Sequence, residues 1–154
     1  MMGKTPEKGD MVVSEVLRLV PGLGRTLSSS IPSKVIHQGV STAQVRAIVH
    51  LAEHGPLTMG DLARGLRITT PSTTGLINPL ARMGLVDRDR DDEDRRVVRV
   101  KLTSKAKTMA GQVVAQRRTE VQQALEGMDA TAQEDFLQGL RRLAVAYNLD
   151  VEED

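Results

Sequence analysis

A mainly α-helical chain with one small β-hairpin is predicted by three features of the sequence. Apolar residues return at helical spacing in stretches on both sides of a central segment. Most of these stretches open on Ser, Thr or Asp and close on Gly or Gly-Pro, the residues that cap and stop helices. Between Leu85 and Leu102 the helical period gives way to alternation around a polar tip. At 154 residues, 40% hydrophobic and 27% charged, the chain is long enough for one domain with a real core, and it carries no internal repeat or low-complexity tract.

Residues 1–10 (M-M-G-K-T-P-E-K-G-D) are polar, carry Pro and Gly, and read as a flexible lead-in. Val13, Val16, Leu17, Val20, Leu23 and Leu27 form the stripe of a first helix. Pro21-Gly22 predicts a kink or break in it, because Pro removes a backbone donor and Gly lowers helix propensity. Ile31-Pro32-Ser33 marks a boundary, and a helical turn through Val35 and Ile36 follows, ended by Gly39. Ser41 with Gln44 is a capping box for a helix carrying Val45, Ile48, Val49 and Ala52, which Gly55-Pro56 stops.

Thr58, with Asp61 three residues on, caps a short helix whose inward face is Leu62, Ala63 and Leu66. The pattern fails at Arg67 to Thr69. Thr70-Pro71 restarts it, with Thr as cap and Pro at a first-turn position where its missing N–H orphans nothing. This helix runs from Pro71 to about Met83, with Leu76, Ile77 and Leu80 inward, and Gly84 ends it by taking positive φ. Leu85–Arg90 and Arg95–Leu102 then flank the tip Asp91-Asp92-Glu93-Asp94, and Val98, Val100 and Leu102 alternate with Arg99 and Lys101 as in a half-buried strand. Thr103 caps a helix to about Gly127, about 36 Å long at about 1.5 Å per residue, with Met109, Ala110, Val113, Val114, Val121, Leu125 and Met128 near one face. Asp129, or Thr131 with Glu134, caps a last helix bearing Phe136, Leu140, Leu143, Ala144 and Tyr147, and the acidic tail from Asp150 reads as frayed.

Two short helices joined by a tight turn and followed by a hairpin make a winged helix-turn-helix, whose second helix enters a DNA major groove. The first helix and the last two carry more apolar surface than so small a unit can cover. That surplus predicts packing against the same elements of a second subunit.

The run L-A-R-G-L-R-I-T-T-P-S-T-T-G-L-I-N-P-L-A-R-M-G-L-V-D-R-D-R-D-D-E-D-R-R-V-V-R-V-K-L-T (Leu62–Thr103) resembles the MarR family of bacterial transcription regulators, most specifically in the acidic-then-arginine wing D-D-E-D-R-R after M-G-L-V. The flanking helices extend the resemblance to nearly the whole chain. It implies a homodimer on a pseudo-palindromic, double-stranded DNA operator, usually a repressor released by a small-molecule effector or an oxidant. On this reading residues 11–154 form a single domain, in which 41–103 are the winged-helix part and 11–38 and 104–148 the dimerisation helices.

The expected DNA contacts fall on two elements. On recognition helix 71–83, Ser72, Thr73, Thr74 and Asn78 are short polar groups near the half that meets base edges, and Arg82 follows. Capping and solvation are the competing reading of such residues. Pro79 departs from the polar or basic residue common here in the family. Its ring crowds the carbonyl of Gly75, so a bend is expected unless the backbone adapts. On wing 87–96, the resemblance places Arg95 at the tip, where a guanidinium can enter a narrow minor groove. Arg88, Arg90 and Arg96 are further candidates, although D-R-D-R alternation also fits a solvated face or a lattice of internal ion pairs. Asp94 is expected to orient an arginine, since phosphates repel a carboxylate.

Family relatives that bind phenolic compounds hold them in a crevice between the dimer region and the DNA-reading part. Here Met11, Arg18, Arg25 and His37 could line such a crevice for an anionic apolar effector, while core and surface roles compete for the same residues. With no Trp, one Phe and one Tyr, both on the last helix, aromatic stacking has little material. His50 and His54, four apart on a helix, could reach one metal, but no third ligand stands at a supporting spacing, so structural or surface roles are expected and no metal or other cofactor.

Composition narrows the alternatives. A formal charge of +1 says little about nucleic acid, since distribution matters more than the total. The absence of Cys removes disulfides, thiolate metal sites and the peroxide-sensing branch of the family. No apolar run reaches bilayer length and no signal core follows the N-terminus, so a cytoplasmic protein without a membrane partner is expected. No nucleophile with a base, paired catalytic carboxylates or complete metal set points to an enzyme. The main alternative is a winged-helix module that binds protein and not specific DNA.

Overall fold

The computed structural model describes residues 8–90 and 97–149. Their elements run α1 (Lys8–Ser29), α2 (Ser33–Ile36), α3 (Thr42–His54), β1 (Leu57–Thr58), α4 (Met59–Leu66), α5 (Thr70–Arg82), β2 (Val86–Arg90), β3 (Val98–Leu102), α6 (Ser104–Leu125) and α7 (Ala130–Ala146). The mainly α class with a small hairpin is therefore the observed one.

Capping chemistry explains most of the boundaries. Gln44 N–H donates to Ser41 Oγ (3.3 Å) and Ser41 N–H to Gln44 Oε1 (2.9 Å), the two halves of the expected box. Thr58 Oγ1 accepts from Asp61 N–H (3.1 Å) and donates to the Asp61 carboxylate (2.6 Å). That hydroxyl, with Arg64 one turn on, lowers the Asp61 pKa. Of the two caps offered for α7, Asp129 takes the role, accepting from Ala132 N–H at 2.9 Å.

The start of α5 is corrected by one residue. Its cap is Thr69, which accepts from Ser72 N–H (3.3 Å), so Thr70 is already helical. Both prolines expected to disturb helices lie inside unbroken ones, Pro21 in α1 and Pro79 in α5. Around Pro21 the helix is open to solvent, so the carbonyl its ring leaves unbonded can be met by water. At Pro79 Gly75 bears no side chain, which eases adaptation.

The sheet has one strand more than expected. Its order is β1-β3-β2, and β1 owes its existence to pairing Leu57 with Val100 and Thr58 with Arg99. β2 and β3 pair antiparallel, from Val86↔Leu102 to Arg90↔Val98. Val100 and Leu102 are buried, but Val98 at the outer end is exposed.

The core draws Ile48 and Leu51 from α3, Leu62 and Leu66 from α4, Ile77 and Leu80 from α5, Leu85, Val86 and Val100 from the sheet region, and Met109 and Val113 from α6. Each such side chain fully withdrawn from water contributes about 2 kcal/mol. Two compact units are formed, one through Arg117 and one from Arg118, with the division inside α6. In the second unit α7 has no buried residue.

Candidate nucleic-acid interface

α4 and α5 are joined by a turn that begins with Arg67 in the left-handed region (φ 55°). There Arg67 N–H donates to Arg64 O and Ile68 N–H to Ala63 O, both at 3.0 Å, which satisfies the carbonyls at the α4 end before α5 restarts. At the far end of α5, Gly84 takes φ 67° as expected. Thr103 Oγ1 lies 2.9 Å from Gly84 O and 3.3 Å from Leu85 O, and accepts from Ala106 N–H at 3.4 Å, which ties the exit of α5 to the start of α6.

Ser72 and Thr74 stand exposed on the first turns of α5, Thr74 with its hydroxyl on Thr70 O (3.1 Å). Thr73 must be removed from the contact set. It is 0% exposed, and its hydroxyl donates to Thr69 O at 3.1 Å. The reason is periodic: residues 73, 77 and 80 are one stripe, and Ile77 and Leu80 are core. Asn78 is half-buried and accepts from the Arg88 guanidinium, while Arg82 is exposed in the last turn.

The pleat of β2 sorts the D-R-D-R run into two faces. Arg88 lies opposite Val100 and Arg90 opposite Val98, so both share the side of the sheet that carries Val86 and Leu102. This is the side on which Arg88 reaches Asn78 of α5. Asp87 and Asp89 point the other way, opposite Lys101 and Arg99. Asp89 forms an ion pair with Lys101, whose pKa it raises through that hydrogen bond and through charge. Among the described residues the expected internal pairing engages Asp89 with Lys101 of β3. The strand period carried the signal for the sorting, since alternating signs on a period of two must separate across a pleat. Arg95, Arg96 and Asp94 lie outside the described residues.

The four expected effector residues are all exposed, and Arg18 is paired with Glu15 (2.7 Å). None of them lines either of two cavities formed by elements of the first unit. The larger, about 620 Å³, lies where the end of α3 meets β3 and α6, walled by Leu51, Pro56, Leu102, Ala110 and Val114 with Lys101 and Lys107 beside it. The smaller, about 180 Å³, is lined by Ser28, Arg46, His50, Glu53, Gly65 and Arg117 among others. Three of the four, Met11, Arg18 and Arg25, lie on α1, which turns most of its length to solvent. Among the described residues no helix is long and apolar enough to cross a membrane.

Residues 38–97 match the MarR family, a span that holds the helix-turn-helix and the wing. The chain is 33% identical over 112 residues to the HTH-type transcriptional regulator FarR of Neisseria gonorrhoeae, covering 71% of this chain and 77% of that protein. It is 30% identical over 107 residues to the HTH-type transcriptional regulator YfiV of Bacillus subtilis, covering 70% and 67%. The solved structure of a MarR family protein from Bacillus stearothermophilus matches at a TM-score of 0.74 and 25% identity, over 90% of this chain and 97% of that one. With its helix-turn-helix and strand-sorted wing, the chain belongs to the MarR family.

Proposed function

We propose that this protein is a homodimeric, DNA-binding transcriptional regulator. It represses from a pseudo-palindromic operator, with helix 71–83 in the major groove, wing 87–96 at the minor groove, and a small-molecule effector as the releasing signal. The observation that carries this reading is the placement of Arg88 and Arg90 on the face of the wing strand from which Arg88 reaches α5, whose first turns expose Ser72 and Thr74. Cations and short hydrogen-bonding groups on adjoining elements are what phosphates and base edges require. The regulator and repressor names borne by relatives, including the repressor MdtR of Bacillus subtilis, favour the same reading.

Self-association is supported by apolar side chains left in water. α1 exposes Val13, Leu17, Val20 and Leu23, and α7 exposes Phe136, Leu137 and Leu140. Patches of this kind mark interaction surfaces. Two recognition helices one helical turn apart would then read half-sites about 10 base pairs apart. Release follows from an effector that prefers a dimer shape with the wrong spacing. The cavity of about 620 Å³, largely apolar and edged by Lys107, Lys101 and Glu53, has the size for a small apolar molecule with a polar group.

The test is selection of bound fragments from the source genome with purified protein, followed by binding titrations across salt. A recovered palindromic sequence, bound with affinity that falls steeply as salt rises, is the expected result. Recovery of nothing above background would overturn the reading in favour of a protein-interaction module. Arg95→Ala should weaken operator binding while the chain stays folded.

A further inference from the structure

We propose that the last turn of α3 is a binding site for one divalent first-row transition ion, held by His50, Glu53 and His54. The three stand at positions i, i+3 and i+4 on one face of the helix, and one donor atom from each lies within 4.8 Å of the others. Two imidazoles alone made an incomplete set; the Glu53 carboxylate is the third donor.

The two imidazoles are held in place by their surroundings. His54 Nδ1 lies 2.9 Å from the His50 backbone carbonyl oxygen. A carbonyl only accepts, so Nδ1 of the neutral ring carries the proton and Nε2 keeps its lone pair for a metal. Donation from the second ring nitrogen to a carbonyl is the support commonly found behind metal-bound histidine. The His50 ring, 4.1 Å from that of His54 between centroids, sits over Gly65 of α4. A Cβ at position 65 would fall 2.0 Å from His50 Nε2, so the ring has its place only because residue 65 is glycine. The cluster also occupies the C-terminal end of α3, where the helix dipole favours a cation.

Chemistry selects the class of ion. Two nitrogens and one carboxylate oxygen form an open three-ligand set that leaves a position for water, as suits Zn²⁺, Co²⁺ or Ni²⁺, whereas Ca²⁺ and Mg²⁺ take oxygen shells. Donors about 2 Å from one tetrahedral ion stand about 3.3 Å apart. Closure from the observed spacing falls to the Glu53 side chain, which is exposed and can swing while His54 keeps its carbonyl bond.

The experiment uses the full chain, stripped with chelator and titrated with Co²⁺ by visible absorption and with Zn²⁺ by calorimetry. One ion per chain, visible bands from Co²⁺ and a rise in Tm with Zn²⁺ are expected. His54→Gln and Glu53→Gln alter exposed side chains and should each weaken binding on the order of tenfold or more. Gly65→Ala should weaken it by displacing the His50 ring without removing a ligand. His37→Gln, at the one other histidine of the chain, should leave binding unchanged. Absence of binding by the unaltered protein would overturn the proposal, as would affinity indifferent to both His54→Gln and Glu53→Gln in variants whose helical circular dichroism is intact. Loss with His37→Gln alone would do the same by placing the ion elsewhere.

Discussion

α3 and α7 carry apolar residues at the same helical spacing, and the structure treats them in opposite ways. α3 buries Val45, Ala47, Ile48, Val49 and Leu51 against α4, α5 and β3, whereas α7 leaves Phe136, Leu137 and Leu140 in contact with water. Amphipathic pattern therefore identifies a face that needs a partner without saying where the partner comes from. The same division recurs on a smaller scale. Thr73 is satisfied inside the chain while its neighbour Ser72 faces out, and Asp89 is paired across the sheet while Arg90 is exposed.

The largest expected effect lies on the inward side of this comparison. Ile48→Ala should cost about 3 kcal/mol, from lost transfer energy and the cavity left behind, as measured by urea unfolding. A loss below about 1 kcal/mol would mean that the α3 face is not the core it is taken to be. On the outward side, Leu140→Asp should leave the stability of a single chain within about 0.5 kcal/mol. It should raise the dissociation constant for self-association on the order of tenfold or more, read by sedimentation. If self-association is unmoved, the partner of α7 is not a second copy.

Arg90→Ala should weaken operator binding and reduce the slope of log affinity against log salt by about 1, the signature of one lost phosphate contact. Lys101→Ala, on the opposite face, should change that slope much less. A finer version sets Ser72→Ala against Thr73→Val. The former should lower operator affinity a few-fold. The latter should leave it unchanged and cost less than about 1 kcal/mol of stability, because Thr73 N–H still bonds Thr69 O at 2.9 Å.

The smallest effect concerns pH. The His50 pKa is lowered, by burial first and by His54 second, so protonation is easier in the unfolded chain than in the folded one. In metal-free buffer, stability should hold above the ordinary histidine pKa of about 6.5 and decline slightly as pH falls below it. The decline ends once pH passes the lowered folded value. His50→Gln should flatten this slope in thermal melts taken between about pH 7.5 and 5.5.

Much of the fold was legible because its signals are local. Ser41 with Gln44, Thr58 with Asp61 and Gly84 each act within a few residues, and each does what its type and spacing require. β1 was not legible, since two residues become a strand only through their distant pairing with Val100 and Arg99. The one-residue shift from Thr70 to Thr69 reflects two equivalent caps side by side. In the candidate interface, the polarity of Thr73 hid a position that helical periodicity assigns to the core. The period of two already separates Asp89 from Arg88, but only the register of β2 on β3 shows that Asp89 meets Lys101. Glu53 was visible in principle, at three residues from His50 and next to His54, but a carboxylate on an exposed helix face draws no notice until the side chains are placed.

The two-faced strand β2 has a consequence for approach. On one side of it stand two guanidiniums; on the other, two carboxylates are offset by Lys101 and Arg99, so among the described residues that side has no net charge. A polyanion arriving from solution would be drawn to one broad side of the ribbon and meet near-indifference on the reverse. The strand would thus reject an upside-down encounter before any base is read, through the sign of the potential it presents across its own thickness.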